Sequence, residues 1–495
     1  MKRLLILIAA ALGTGVQAAA ESDYALTIYS RAQPGAVDPA LYRPGGRFQA
    51  GNVPGYATVR LDRSFDLAVG VSELRVQDVA SLIDPTTVSI RGWDGGVRVL
   101  EQNFEFDLVS SAKLLDRYLD RDITVSRGTG DAADRISGTL LSTDGGLVLR
   151  KPDGGVQIIQ SYRDIELPEL PGGLITKPTL VWQVRSDEAG PVPLGISYET
   201  GGMTWWADYN AILDEKDGCS LDVNAWVSIV NQSGAGFPDT RLKLIAGDVQ
   251  RIAPEDPRVM MEMARTTQAA DQAGFEEKSF FEYHLYTLPR RTSLPDNSTK
   301  QLELFPAARG VPCIKEYVYD ARGVYPGYRP EPYLDRNPGR SAGDDVAVYL
   351  GFRNDGESGL GMPLPGGRLR INKQDPGDGS LEFIGEDVID HTPKDEDIRV
   401  RLGNAFDVVA ERRQTDYRID AAAGTLRESF EITVRNHKDS PVTVNVNEAL
   451  YRWVNWKVIE ASHDFRKLDA RSIQFPVEVA SDGETTVGYE VQYSW

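Results

Sequence analysis

Few side chains in this sequence are spaced for attack, proton transfer or metal binding. Ser110-Ser111-Ala112-Lys113 has the Ser-x-x-Lys spacing in which a lysine can serve as base for a serine nucleophile. The companion Lys-Thr-Gly is absent, and Ser110 is equally the residue type that caps a helix, which is the reading carried forward. The four histidines, His284, His391, His437 and His463, stand apart from one another at no ligand spacing. His391 has the richest setting, behind Glu386, Asp387 and Asp390 and ahead of Asp395, Glu396 and Asp397. Such carboxylates suit a divalent cation, but a solvated acidic loop is the plainer reading. Asp375-Pro376-Gly377-Asp378-Gly379 reads as a turn before it reads as a calcium loop. The sequence contains no Gly-x-Ser-x-Gly, His-Glu-x-x-His, Gly-Lys-Ser/Thr or Gly-x-Gly-x-x-Gly. A carboxylate pair for glycoside hydrolysis is defined by spatial separation, and nothing in the order of 73 acids selects one. No catalytic residue, metal or other cofactor is therefore assigned, and the balance leans away from an enzyme.

Two cysteines remain, Cys219 and Cys313. In an oxidising compartment they are a candidate disulfide across a long loop, with two separate thiols as the alternative. A zinc site is disfavoured, because neither cysteine has a second ligand at zinc-finger spacing.

The elements that must position these side chains are strands. Apolar and polar residues alternate in Thr87-Val88-Ser89-Ile90-Arg91, Leu242-Lys243-Leu244-Ile245 and Phe430-Glu431-Ile432-Thr433-Val434. Asp-Gly pairs at 94, 144, 153, 378 and 482 punctuate such runs as hairpins require. The pattern predicts an all-β, mainly antiparallel fold of several sandwich or barrel-like units, with one or two short helices. The helical candidates start at Ser110 and Pro257, the second inside a polar stretch, 253–279, that reads as an exposed excursion. Leu167-Pro168-Glu169-Leu170-Pro171-Gly172-Gly173 has the composition of a linker, and 321–343 that of a second connection. The expected organisation is an N-terminal β-rich domain over 21–174 and a β-sandwich region over 175–495. The last strand, from Thr485 to Trp495, alternates and ends in an aromatic, as outer-membrane barrel strands do. The other strands are too short and charged for such a barrel, so a strand completing a sandwich is expected. Trp453 and Trp456, three apart, should fall on opposite faces, one buried and one nearer solvent.

The chain of 495 residues carries a net charge of −19, which argues against nucleic acid as a partner. Met1-Lys2-Arg3, the apolar run Leu4 to Leu12 and the small residues of Val16-Gln17-Ala18-Ala19-Ala20 follow the order of a secretory signal peptide. The apolar run is short of the roughly 20 residues that span a bilayer, and no later stretch suggests a transmembrane helix. Residues 1–20 are thus expected to be removed on export, leaving a periplasmic or peripherally envelope-associated protein.

Four ordered segments carry a family resemblance. Tyr198-Glu199-Thr200-Gly201-Gly202-Met203-Thr204-Trp205-Trp206-Ala207-Asp208-Tyr209 resembles the Tyr-x-Thr-Gly-Gly-x-x-Trp-x-Ala-x-Tyr segment of the mucoidy-inhibitor-like family. Tyr283 to Pro289, Val400 to Val408 and Val434-Arg435-Asn436-His437-Lys438 follow in the family's order. The similarity runs from about 175 to 495. Longer members place a coiled coil before this region; this chain has none and is similar to the shorter, exported branch. The resemblance implies a β-rich module of unknown function, and brings no activity, cofactor or catalytic residue with it.

Physically, Gly201-Gly202 allows a tight turn with positive φ, after which Trp205, Ala207 and Tyr209 share one face of the next strand. Gly201, Gly202, Trp205 and Tyr209 are expected to be structural. Trp206 and Asp208 face the other way, and an exposed Trp206 would offer a stacking surface to sugar or peptide. The expected function is a non-enzymatic binding or assembly module of the cell envelope. The alternative is a carbohydrate-active enzyme or lectin-like protein on envelope polysaccharide. The partners expected are accordingly an envelope protein or polysaccharide.

Overall fold

A computed structural model describes residues 22–30, 32, 53–92, 96–105, 110–127, 134–169, 171, 175–216, 218–247, 276–280, 283–321, 330–336 and 343–495. The expected signal segment, the Asp94-Gly95 turn, Gly172-Gly173 and most of 253–279 and 322–342 lie outside them. Among the described residues the protein is nearly all strand, mostly antiparallel, with one helix, Ser111–Arg117. No helix among them is long and apolar enough to cross a membrane.

The first large sheet runs in the order Glu276–Phe280, Tyr283–Thr287, Phe237–Ala246, Asp23–Ser30, Gly55–Leu67, Gly190–Gly201 and Ile83–Gly92. The alternation of Asp23–Ser30 shows why: Tyr24, Leu26 and Ile28 are buried while their neighbours are half-exposed. A three-stranded sheet of Gly70–Val76, Thr179–Ser186 and Val97–Glu105 adds the fully buried Trp182 to the same core. Residues 276–279, expected within the loop excursion, belong instead to an edge strand paired with Tyr283–Thr287.

This interleaving corrects the expected boundary at 174. Gly55–Leu67 pairs along its whole length with Gly190–Gly201, and Asp23–Ser30 runs parallel to Phe237–Ala246. Segments on either side of 175 therefore share hydrogen bonds and one apolar cluster. What does form a separate unit is an insertion. The helix and the five-stranded sheet of Asp164–Glu166, Asp122–Arg127, Asp134–Ser142, Leu147–Arg150 and Val156–Ile159 enclose a core of their own around Tyr118, Val125, Leu140 and Leu149.

A second large sheet begins with Leu381–Ile389, Gly367–Gln374, Met203–Asp214, Ser220–Asn231 and Ser298–Asp320. It continues through Asp345–Arg353, Asp397–Asp420, Thr425–Asn436 and Gly483–Ser494 to Trp456–Ala461. Ser298–Asp320 is 23 residues long and changes partners on the way. Its first half pairs with Ser220–Asn231, and from Cys313 it pairs with Asp345–Arg353. The sheet also curls back on itself, because Gly385 on its first strand touches Leu402 on Asp397–Asp420. Beyond that point Thr425–Asn436 and Gly483–Ser494 face Val442–Ala449 and Ser472–Val479 across a C-terminal core of Phe430, Ile432, Val444, Phe475 and Tyr489. Val487, Tyr489, Val491 and Tyr493 turn into this core, so the aromatic-ending terminal strand completes a sandwich. Trp453 and Trp456 do not divide into one buried and one exposed: both are half-buried against it, and the fully buried residue beside them is Arg452.

Candidate functional site

Tyr198, Trp205, Trp206 and Tyr209 of the first resemblance segment are all buried. Of the two glycines only Gly202 takes the left-handed conformation, at φ 76°. A side chain there would also meet the Gln232 carbonyl, whose own N–H donates to Gly202 O at 2.8 Å. Gly201 ends its strand without needing positive φ. Trp205 is 2% exposed and meets Tyr286 edge-on at 6.2 Å, which ties the first resemblance segment to the second. Tyr209 donates its hydroxyl to Pro365 O at 2.7 Å, and burial pushes that phenol well above its ordinary pKa. Trp206 is the correction. It is 5% exposed, packed with Val53 and Val230, and its indole N–H donates to Asp208 Oδ2 at 2.8 Å. The reverse face of the strand is covered, so Trp206 offers no stacking surface.

Cys219 and Cys313 form a disulfide, with their Cα atoms 5.0 Å apart. It closes where Ser298–Asp320 changes partners, and the Cys313 N–H also donates to Cys219 O at 2.9 Å. Just beyond it Glu215 joins two lysines. Lys315 Nζ lies 3.0 Å from its Oε1, and Lys373 Nζ donates to Oε2. Burial works to raise the pKa of Glu215, but hydrogen bonds from Lys373 and Lys315 outweigh it and hold the carboxyl below its ordinary value. Lys315 is likewise depressed by burial and, on balance, raised by Glu215.

These three residues form one wall of a cleft of about 260 Å³. Its other wall is a departure from regular pairing in Asp397–Asp420. Leu402 is skipped between Arg401, opposite Tyr349, and Gly403, opposite Val348; after Asn404 the register slips again before Val409. The irregular stretch turns Asn404, Phe406 and Asp407 toward the cleft, and Phe406 is 93% exposed. Lys438, held at a turn by its N–H to Asn436 Oδ1, closes one side. Two of the four resemblance segments thus meet here, Val400–Val408 and Val434–Lys438. The first lies within Asp397–Asp420 and holds Gly403-Asn404 at the point where the register slips.

The other sequence candidates are spread over the molecule. Ser110 Oγ accepts the Lys113 N–H at 3.2 Å and caps the helix. Around His391 the carboxylates have separate tasks. Glu386 pairs with Arg370 at 3.2 Å, Asp397 with Arg353 at 3.1 Å, and Asp387 accepts the Arg401 N–H at 2.7 Å, while His391 Nδ1 accepts from Gly366 N. No group of three metal-binding side chains is gathered among the described residues.

Sequence reasoning missed a buried charged network in the C-terminal sandwich. Arg452 and Glu428 are both 2% exposed and joined Nε to Oε2 at 2.8 Å. Arg412 grips the fully buried Glu448 with two nitrogens, at 2.8 and 3.0 Å, and Tyr489 donates to the same carboxylate. Burial raises the pKa of Glu428, an effect Arg452 partly offsets. Arg452 also donates to the carbonyls of Tyr333 and Asp335, fastening the segment 330–336 to the sandwich. A signal was present: Glu428 falls in phase with Leu426, Phe430, Ile432 and Val434, and Glu448 in phase with Val444 and Val446, on the faces that turn inward.

No family model matches the chain, and no curated protein matches it.

Proposed function

We propose that this is an exported, non-enzymatic binding or assembly module of the cell envelope, related to the short branch of the mucoidy-inhibitor-like family. The observation that carries the reading is convergence. Two separate segments that resemble the family meet at one open cleft, while the other two lie at the Trp205–Tyr286 contact of the core. A scaffold that holds an open cleft is what a binding protein requires. The disulfide is compatible with an oxidising compartment outside the cytoplasm. The exposed apolar and cationic groups of the cleft suit recognition of another macromolecule, and an envelope protein is the partner favoured. The carbohydrate-directed alternative rested on an exposed Trp206 and on the compartment; Trp206 is buried, and the compartment suits both readings alike.

The export half is tested by expressing the whole chain in a Gram-negative host and determining the N-terminus and cell fraction of the product. A chain starting near residue 21 in the periplasmic or envelope fraction is expected; an intact Met1 in the cytoplasm would refute it. The non-enzymatic half fails if the processed protein turns over an envelope substrate and one acidic substitution abolishes the turnover.

A further inference from the structure

We infer that the outer edge of the C-terminal sandwich is a contact for an anionic phospholipid surface. Lys457 and Lys467 take headgroup phosphates, while Val454 and Ile459 sit at the boundary of the acyl chains. The site is separate from the cleft beside Glu215, so the inference goes beyond the binding-module reading and stands or falls independently of it.

Trp456–Ala461 ends the second large sheet and, among the described residues, pairs only with Gly483–Ser494. Its alternation turns Trp456, Val458 and Ala461 toward the C-terminal core and leaves Lys457, opposite Gln492, exposed. The register breaks between Val458 and Glu460, and this bulge leaves Ile459 unpaired and 44% exposed. Beyond the strand the chain turns back through Arg466–Lys467, which pairs with Ser472–Val479. Lys467 comes to lie over the Trp456 ring, its Nζ 4.2 Å from the centroid, and the indole N–H fixes that ring by donating to Ala470 O at 2.9 Å. The strand and the turn border an open cleft of about 420 Å³, with Val454, Ile459, Lys457 and Lys467 in its walls.

Two observations select an anionic lipid. First, the walls hold two lysines and no carboxylate, and neither lysine has an ion-pair partner among the described residues. Glu460, Asp464 and Asp469 belong to the same segment but do not line the cleft, and Asp469 is engaged by the Arg471 N–H at 2.7 Å and the Ser472 hydroxyl. Lys457, Arg466, Lys467 and Arg471 outnumber those three acids, so 453–471 is net positive on a chain of net charge −19. Charges farther than about 8 Å are largely screened at physiological salt, so the acidic remainder orients the molecule without forbidding the contact. Second, apolar side chains stand out on both sides of the lysines: Val454 is 56% exposed, and Leu468, next to Lys467, 42%. A soluble phosphate would leave these groups in water. A bilayer takes them below its headgroups while the lysine stems reach back to the phosphates. The ring under Lys467 holds that ammonium in place before lipid arrives, which lowers the cost of ordering it.

The test is flotation of the purified chain with vesicles of phosphatidylglycerol and phosphatidylcholine in equal parts, and with vesicles of phosphatidylcholine alone. Partition onto the mixed vesicles only is expected, weakening as salt is raised. Lys457→Glu/Lys467→Glu should reduce it by about tenfold or more. Val454→Ser/Ile459→Ser should also reduce it, while leaving its salt dependence in place. Mixed vesicles brominated in their acyl chains should quench tryptophan emission from the wild type and not from the lysine variant. Unchanged circular dichroism and melting temperature in both variants exclude a folding defect. No partition, equal partition onto both vesicle types, or indifference to both double substitutions would overturn the inference. So would release of the vesicles by soluble glycerol phosphate, which would assign the lysines to a free anion, or a protein held by these lysines where neither vesicle binds.

Discussion

Arg452→Met tests how the C-terminal sandwich is held together. The wild-type guanidinium has a side-chain exposure of 1% and Glu428 of 2%, so neither charge is relieved by solvent. Removing the arginine strands the carboxylate and unpairs the carbonyls of Tyr333 and Asp335. Breaking one partner of such a pair costs about 3–5 kcal/mol. The charge part has a ceiling, because Glu428 can take a proton instead. At pH 7, protonating a carboxyl of ordinary pKa near 4.3 costs about 3.7 kcal/mol. The sign follows. In the variant the folded state binds a proton that the unfolded state has released, so stability rises as pH falls. It should recover by about 1.4 kcal/mol per pH unit until roughly pH 4.3, where the unfolded carboxyl is protonated too. Guanidinium unfolding followed by tryptophan fluorescence at several pH values reads this directly. Replacing both Arg452 and Glu428 by Met should be more stable at pH 7 than Arg452→Met alone, because no charge is stranded. A penalty under about 1 kcal/mol that does not vary with pH would refute the assignment of a desolvated ion pair.

Other outcomes are expected on the same footing. Trp205→Ala should cost about 3–5 kcal/mol in chemical unfolding, as loss of a buried tryptophan does; a change under about 1 kcal/mol would remove Trp205 from the core. Cys219→Ser/Cys313→Ser should lower stability by about 2–5 kcal/mol, the chain-entropy limit for a closed loop of this length being near 4.7. Dithiothreitol should then destabilise the wild type and leave the double variant unchanged. Glu215, whose folded pKa is lowered, contributes above its unfolded value and loses that contribution as pH falls through the folded one. The melting-temperature gap between wild type and Glu215→Gln should therefore be present at pH 6 and shrink below about pH 4.3; a gap constant with pH would contradict the Lys–Glu–Lys arrangement.

The fold class was legible because alternation with turn residues is a local signal, as in Asp23–Ser30 and Gly483–Ser494. The alternation of Trp205, Ala207 and Tyr209 onto the core face was legible for the same reason. What covers the opposite face was not: Val53 and Val230 reach Trp206 from distant positions, so its burial is a tertiary fact. The boundary at 174 failed similarly, since a Pro-Gly-rich stretch marks a local break but not whether the chain returns to the same sheet. Cysteine pairing depends on two strands converging, which spacing cannot disclose. The cleft combines both kinds of information. Its segments were visible as strings, but the register slips and the approach of Gly385 to Leu402 exist only once the sheet has curled.

The most direct test of the central claim is capture from detergent-solubilised envelope. The tagged chain from residue 21 and its Phe406→Ser/Lys438→Glu variant are compared, and bound material is identified by mass spectrometry. A single stoichiometric protein held by the wild type and lost from the variant is the predicted result. Polysaccharide in place of protein, or no bound material from an envelope in which the chain is native, would contradict the account.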